Sequence, residues 1–222
     1  AAAAQLLDFE YVGPARLVAG SLDRWQFRFR AKQLLRRGSR IAIAHRWPSD
    51  WGTAQSSDPG AADFLRVDCD AGSALRWWAA RLHTWHPFDH VVFVEFLDDV
   101  AAEAMVRVAF GGNDGDGPGF HVQSFIEEAS PFSVRWRPRD AEHWAEIGVQ
   151  RMTVIGAAPF RLVATVPSRV RQGEPVRLRL RLEDAWGNPA HLAVDVPLVV
   201  TLPGEAVARP AALPRCAWVD AD

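Results

Sequence analysis

Three histidines, His83, His86 and His90, fall within eight positions, with Asp89 alongside. Imidazole and carboxylate groups at such spacing are zinc ligands when a helical face or a turn gathers them. The i, i+3 step from His83 to His86 permits that, but Trp85 and Pro87 disfavour a regular helix there, and Asp89 is the one further donor close by. Ordinary surface histidines in a loop are the better reading. A second signal is the run Gly111-Gly112-Asn113-Asp114-Gly115-Asp116-Gly117-Pro118-Gly119, whose oxygen-rich side chains on a glycine backbone suit a hard cation such as Ca²⁺. Glycine-rich calcium repeats work by stacking copies, and this chain has one copy, without the glutamate that closes an EF-hand loop. A solvated hairpin loop joining strands at Val106 to Phe110 and Phe120 to Phe125 is expected instead.

Glu127 and Glu128 are adjacent, so on a strand they face opposite sides and make no catalytic carboxylate pair. No Gly-x-Ser-x-Gly elbow, phosphate loop or His-x-His signature is present. The chain is therefore expected not to be an enzyme by itself, and to use no metal and no cofactor. Cys69 and Cys216 stand too far apart in sequence for a local metal pair, and both two buried thiols and one long-range disulfide stay open.

Any such group has to be carried by a scaffold, and composition bounds it. The 222 residues carry 25 basic and 27 acidic side chains, a net charge of −2 that argues against a broad nucleic-acid surface. No apolar run reaches the length of a membrane span. At 49% hydrophobic and 23% charged, the chain reads as one or two folded domains. Ten tryptophans are present, and they are either core fillers or a face for stacking sugars or a partner.

Period-two patterning points to an all-β fold. In Arg24 to Ala31, Trp25, Phe27, Phe29 and Ala31 alternate with Arg24, Gln26, Arg28 and Arg30, and Val176 to Glu183 repeats the pattern with an arginine-striped outer face. Ile41 to Trp47, Phe64 to Cys69, His90 to Leu97, Val100 to Phe110, Phe120 to Ile126, Phe132 to Trp136 and Phe160 to Val166 read as further strands. Ala74 to Leu82 fits a strand, although Leu75, Trp78, Ala79 and Leu82 also fall at helical spacing, and Asp140 to Ile147 reads as irregular. The expectation is an antiparallel β-sandwich over 1–150, followed over 151–222 by a smaller, incomplete immunoglobulin-like β-sandwich. Gly187-Asn188-Pro189 marks a turn in the second, and the tail from Gly204 to Asp222 has weak strand character.

Three stretches together resemble an uncharacterised bacterial family in which β-sandwich modules precede a metal-dependent hydrolase-like domain of the polymerase and histidinol phosphatase type. They are Ser49 to Pro59 with Phe64 to Val67, then Pro118-Gly119-Phe120 with Gln123 to Glu128, and finally Pro167-Ser168, Gly173-Glu174-Pro175 and Glu183 to Pro189. That family's Gly-Asp-Leu-His opening and its scattered metal ligands have no counterpart in these residues. The resemblance implies an accessory region that docks on or supports a hydrolase domain, in cis or in trans. It is densest at the loop from Trp47 to Asp63, so Trp47, Trp51, Gln55 and Asp58 are the expected docking residues. A lid over the sandwich end is the alternative reading of that loop. The other functional reading is a carbohydrate-binding module using Trp47, Trp51, Trp77 and Trp78. Self-association of the chain stays open.

Overall fold

The computed structural model describes residues 6–82, 85–112, 117–169, 171, 178–191, 197–198, 211–212 and 219–221. No helix occurs among them, and the chain divides into two units, 1–155 and 156–222.

The larger unit is a β-sandwich. Its four-stranded sheet runs in the order β1 (Leu7–Val12), β4 (Trp25–Ala31), β9 (Met105–Phe110), β6 (Leu65–Cys69). Its six-stranded sheet runs β2 (Arg16–Val18), β12 (Ala145–Ile155), β11 (Glu127–Arg137), β5 (Arg40–Arg46), β8 (Phe88–Phe96), β7 (Leu75–Arg81). Pairing is antiparallel except where β2 lies parallel to β12, with Arg16, Leu17 and Val18 against Thr153, Val154 and Ile155. A short ribbon of β3 (Leu22–Asp23) and β10 (Phe120–His121) sits beside the sheets in the topology.

The alternation of β4 delivers the core: Trp25, Phe27, Phe29 and Ala31 are each at most 1% exposed. From the facing sheet come Ile41, Ile43, Val94, Phe96, Phe132, Val134 and Trp136, all in one apolar cluster. Two aromatic-rich inner faces at sandwich spacing interdigitate in this way, and burial at roughly 25 cal/mol per Å² holds them together.

Several expected boundaries moved, for local reasons. Residues 74–82 form strand β7, paired along its length with β8. Only Met105–Phe110 of the Val100 to Phe110 stretch is strand, because Glu103 adopts φ +67° in a turn whose Glu103 amide donates to Ala31 O and whose Ala104 carbonyl accepts from the Ala31 amide. Phe120 to Ile126 shortens to β10, since the Val122 amide donates to Ser21 O and the Gln123 side chain caps Phe125 O. The expected hairpin across the glycine-rich run does not form: β9 pairs with β4 and β6, whereas β10 pairs with β3. Residues 113–116 of that run lie outside the described residues. Ala145 to Ile147, read as irregular, opens β12. That strand continues through Ile155, because its last residues pair with β2 and bury Met152 and Val154.

The smaller unit contains a three-stranded sheet of β13 (Arg161–Thr165), β14 (Leu178–Glu183) and β17 (Val219–Ala221), and a ribbon of β15 (Pro197–Leu198) and β16 (Ala211–Ala212). Leu180 is 3% exposed. Val176, Gly173-Glu174-Pro175 and most of the tail lie outside the described residues. The turn after β14 is built on Asp184, whose carboxylate accepts from the Trp186, Asn188 and Ala157 amides and the Asn188 side chain. Gly187 supplies the φ of +89° that this turn needs. Burial works against the charged form of Asp184, but these donors hold its pKa below the ordinary 3.8.

Candidate functional site

The loop between β5 and β6 is ordered by its own polar groups. Asp50 accepts from the Ser124 amide at 2.8 Å and from its hydroxyl at 2.5 Å. Gln55 is the loop's hub: its Nε2 donates to Asp58 O and Ala62 O, and its Oε1 accepts from the Ser57 and Asp58 amides. The Asp58 carboxylate accepts from the Gly60 amide at 2.8 Å, the side-chain turn expected of Asp before Pro-Gly. Gly52 is required by close approach, since a Cβ there would come within 2.0 Å of Asp63 Oδ1, and that carboxylate is engaged with the His121 amide.

The four expected docking residues therefore part company. Trp51 is 6% exposed and belongs to the core, with its ring 5.5 Å from Trp25 and 5.2 Å from Phe132. It is a structural anchor of the sandwich end and not a contact residue, because two buried aromatics meet at the place where the loop crosses. Gln55 is turned onto its own backbone. Asp58 is exposed but braces the turn. Trp47 alone presents a large apolar surface, at 58% exposure, and its amide donates to Pro87 O.

The proposed sugar-stacking set does not assemble. Trp77 packs against the main core, while Trp78 is its neighbour on β7 and so points to the opposite face of the sheet. There its ring lies under the guanidinium groups of Arg40 and Arg76, at 5.5 and 5.6 Å. Of the three clustered histidines, His83 lies outside the described residues, His86 is exposed, and His90 is on the inner face of β8. Among the described residues no three His, Cys, Asp or Glu side chains come together. Cys69 is a half-buried free thiol, and Cys216 lies outside the described residues.

Two features escaped the sequence reading. The first is His45, cross-strand from His90, with the two imidazoles stacked at 4.8 Å and 2°. The parity of Ile41 and Ile43 on β5 places His45 on the inner face. Burial, with His90 against it, pushes its pKa down to about 3, and its Nδ1 lies 2.9 Å from Ser49 Oγ.

The second is the outer face of the six-stranded sheet. Ala42 and Ala44 are fully buried there, with Val91 and Phe93 beside them. Trp85, from the loop before β8, and Trp144, from the loop before β12, reach over this patch and meet edge to face at 5.3 Å, each also against Phe93. Arg135 stands 4.4 Å from the Trp85 ring and Arg137 stands 5.3 Å from the Trp144 ring. Glu95 on the same face is 8% exposed and clamped by Arg40 at 2.7 Å and by Arg76. Its burial opposes ionisation, yet the two arginines hold its pKa below the usual carboxylate value. By contrast, Arg135 donates from Nε to Ser133 Oγ, and among the described residues neither Arg135 nor Arg137 is in an ion pair.

No protein-family model matches the chain, and no curated protein matches it. Among solved structures it is similar to a cohesin module from a Clostridium perfringens ATCC13124 family 33 glycoside hydrolase. The identity is 6% and the TM-score is 0.39, over 69% of this chain and 99% of that one. A likeness at that level carries no inference about activity or partners.

Proposed function

We propose that the chain is a non-catalytic β-sandwich module that docks, through the outer face of its six-stranded sheet, on a hydrolase domain supplied in cis or in trans. The observation that carries this reading is the aromatic patch with its arginine rim. A sheet face that met only water would alternate to polar residues, whereas Ala42, Ala44, Val91 and Phe93 form a second apolar floor beneath Trp85 and Trp144. Tryptophan and arginine are also the residues most enriched at the energetic centres of interfaces. Two guanidinium groups without carboxylate partners suit an acidic rim on the opposing surface. Trp47 adds an exposed indole, on a segment whose amide is bonded to the Trp85 loop through Pro87 O. The hydrolase as partner rests on the sequence resemblance, and the docking face rests on the geometry.

The test is association of the full chain with a hydrolase domain of the resembled family, followed by sedimentation velocity. Arg135→Gln combined with Arg137→Gln should weaken association by about 2 kcal/mol or more, and Trp47→Ala by less. The melting temperature should stay nearly unchanged with Trp47→Ala. Association that ignores all three changes, or dimerisation of the chain through this face in place of hydrolase binding, would remove the reading. So would turnover of phosphate esters by the chain alone.

A further inference from the structure

A second site lies between the sheets, and two of its lining residues, Ala80 and Val91, belong also to the apolar cluster of the docking face. At the end of the sandwich crossed by the β5–β6 loop, a cavity of about 250 Å³ opens to solvent between that loop and edge strand β7. Its inner walls are Phe110, Phe120 and Phe132, each at most 3% exposed, together with the stacked His45 and His90. Thr53 and Arg81, both exposed, stand among its lining residues. No carboxylate lines it. Asp89 sits behind one wall, its Oδ1 2.9 Å from Nδ1 of the lining His90, and Asp63 Oδ2 lies 2.9 Å from His121 Nδ1. Among the described residues Arg81 has no ion pair.

We propose that this cavity binds a small acid with an apolar body, its ring or short chain held between the phenylalanines and its carboxylate met by Arg81 at the opening. Size supports a single ring with a short arm, since apolar protein cavities of roughly 150 Å³ already take up benzene. The chemistry of the walls agrees. Three phenyl rings and a stacked pair of imidazoles offer flat faces, and His45, kept neutral by its burial, adds no charge for the ligand's body to desolvate. The one fixed charge among the lining groups is a guanidinium, which pairs with a carboxylate in bidentate fashion. A wholly apolar ligand would gain nothing from Arg81.

The experiment titrates the full chain with 3-phenylpropionate and with its neutral counterpart 3-phenylpropanol, followed by saturation-transfer NMR and calorimetry. The acid should bind about three- to fivefold more tightly than the alcohol, the difference expected of a solvent-exposed ion pair. Arg81→Gln should erase that difference while leaving alcohol binding in place. Ala54→Phe, which fills the cavity from the loop side, should abolish binding of both. If that variant does not fold, Ala79→Leu, filling it from β7, serves in its place. No binding of either probe at about 5 mM would overturn the proposal. Equal affinity for acid and alcohol, or binding that survives a cavity-filling change, would do so as well.

Discussion

Replacing His45 by glutamine should flatten the acid limb of the larger unit's stability. The native imidazole is held at about 3 against an ordinary 6.5, because burial and the stacked His90 penalise its cation. The unfolded chain therefore takes up this proton first as pH falls. Stability is fully present above pH 6.5 and is lost progressively down to the folded value. Each unit of difference is worth about 1.4 kcal/mol, so this one side chain accounts for up to about 5 kcal/mol over the full span, and for about 2 to 3 kcal/mol between pH 6.5 and 4.5. Glutamine keeps a neutral group within reach of Ser49 and removes the titration. Urea unfolding from pH 8 to 4.5, read by tryptophan fluorescence, is the assay, and the signal reports mainly the larger unit because eight of the ten tryptophans precede residue 156. The difference in slope between the two chains isolates position 45. Equal slopes, or an NMR titration of the native His45 ring near pH 6, would refute the reasoning.

Other substitutions separate the loop's roles and the two units. Trp51→Ala should cost about 3 to 5 kcal/mol in unfolding free energy, as a buried aromatic does, and a loss of association without a loss of stability would contradict its place in the core. Phe27→Ala and Leu180→Ala should each cost about 2 to 5 kcal/mol. In calorimetry the first should lower one transition and the second another, whereas a single shared transition would mean one fused domain. Asp184 has its pKa depressed by its four donors, so the stability it contributes is present above pH 3.8 and lost as pH falls through the lower folded value. Asp184→Asn should weaken the smaller unit at pH 7 and remove that part of its acid sensitivity, and an unchanged acid limb would argue against the turn's hydrogen bonding.

Strands whose two faces differ were legible from sequence, and β4 is the clearest, since every second residue from Trp25 to Ala31 is buried. Strand β5 was legible as a strand but not as what it does. Ile41 and Ile43 face one core while Ala42 and Ala44 face another, and such a run looks merely apolar. The residues that cover the second face, Trp85 and Trp144, arrive from two loops far apart in sequence. Local periodicity carries no information about that meeting. Trp51 misled for a related reason: flanked by Ser49, Asp50 and Gly52 it reads as surface, and its burial depends on Trp25 and Phe132 converging from other strands. Gln55 and Asp58 read from sequence as docking residues of the loop. Their chemistry is spent on the loop's own amides, and only the hydrogen-bond directions reveal that.

The parallel pairing of β2 with the end of β12 also constrains synthesis. Arg16 and Thr153 stand at opposite ends of the larger unit's sequence, so the edge made early by the ribosome stays unpaired until almost the whole unit has emerged. Contacts of such long separation slow folding and leave strand edges open to wrong partners in the meantime. A tether that delayed release of Ile155 would hold the sandwich unfinished for as long as β2 lacked its partner.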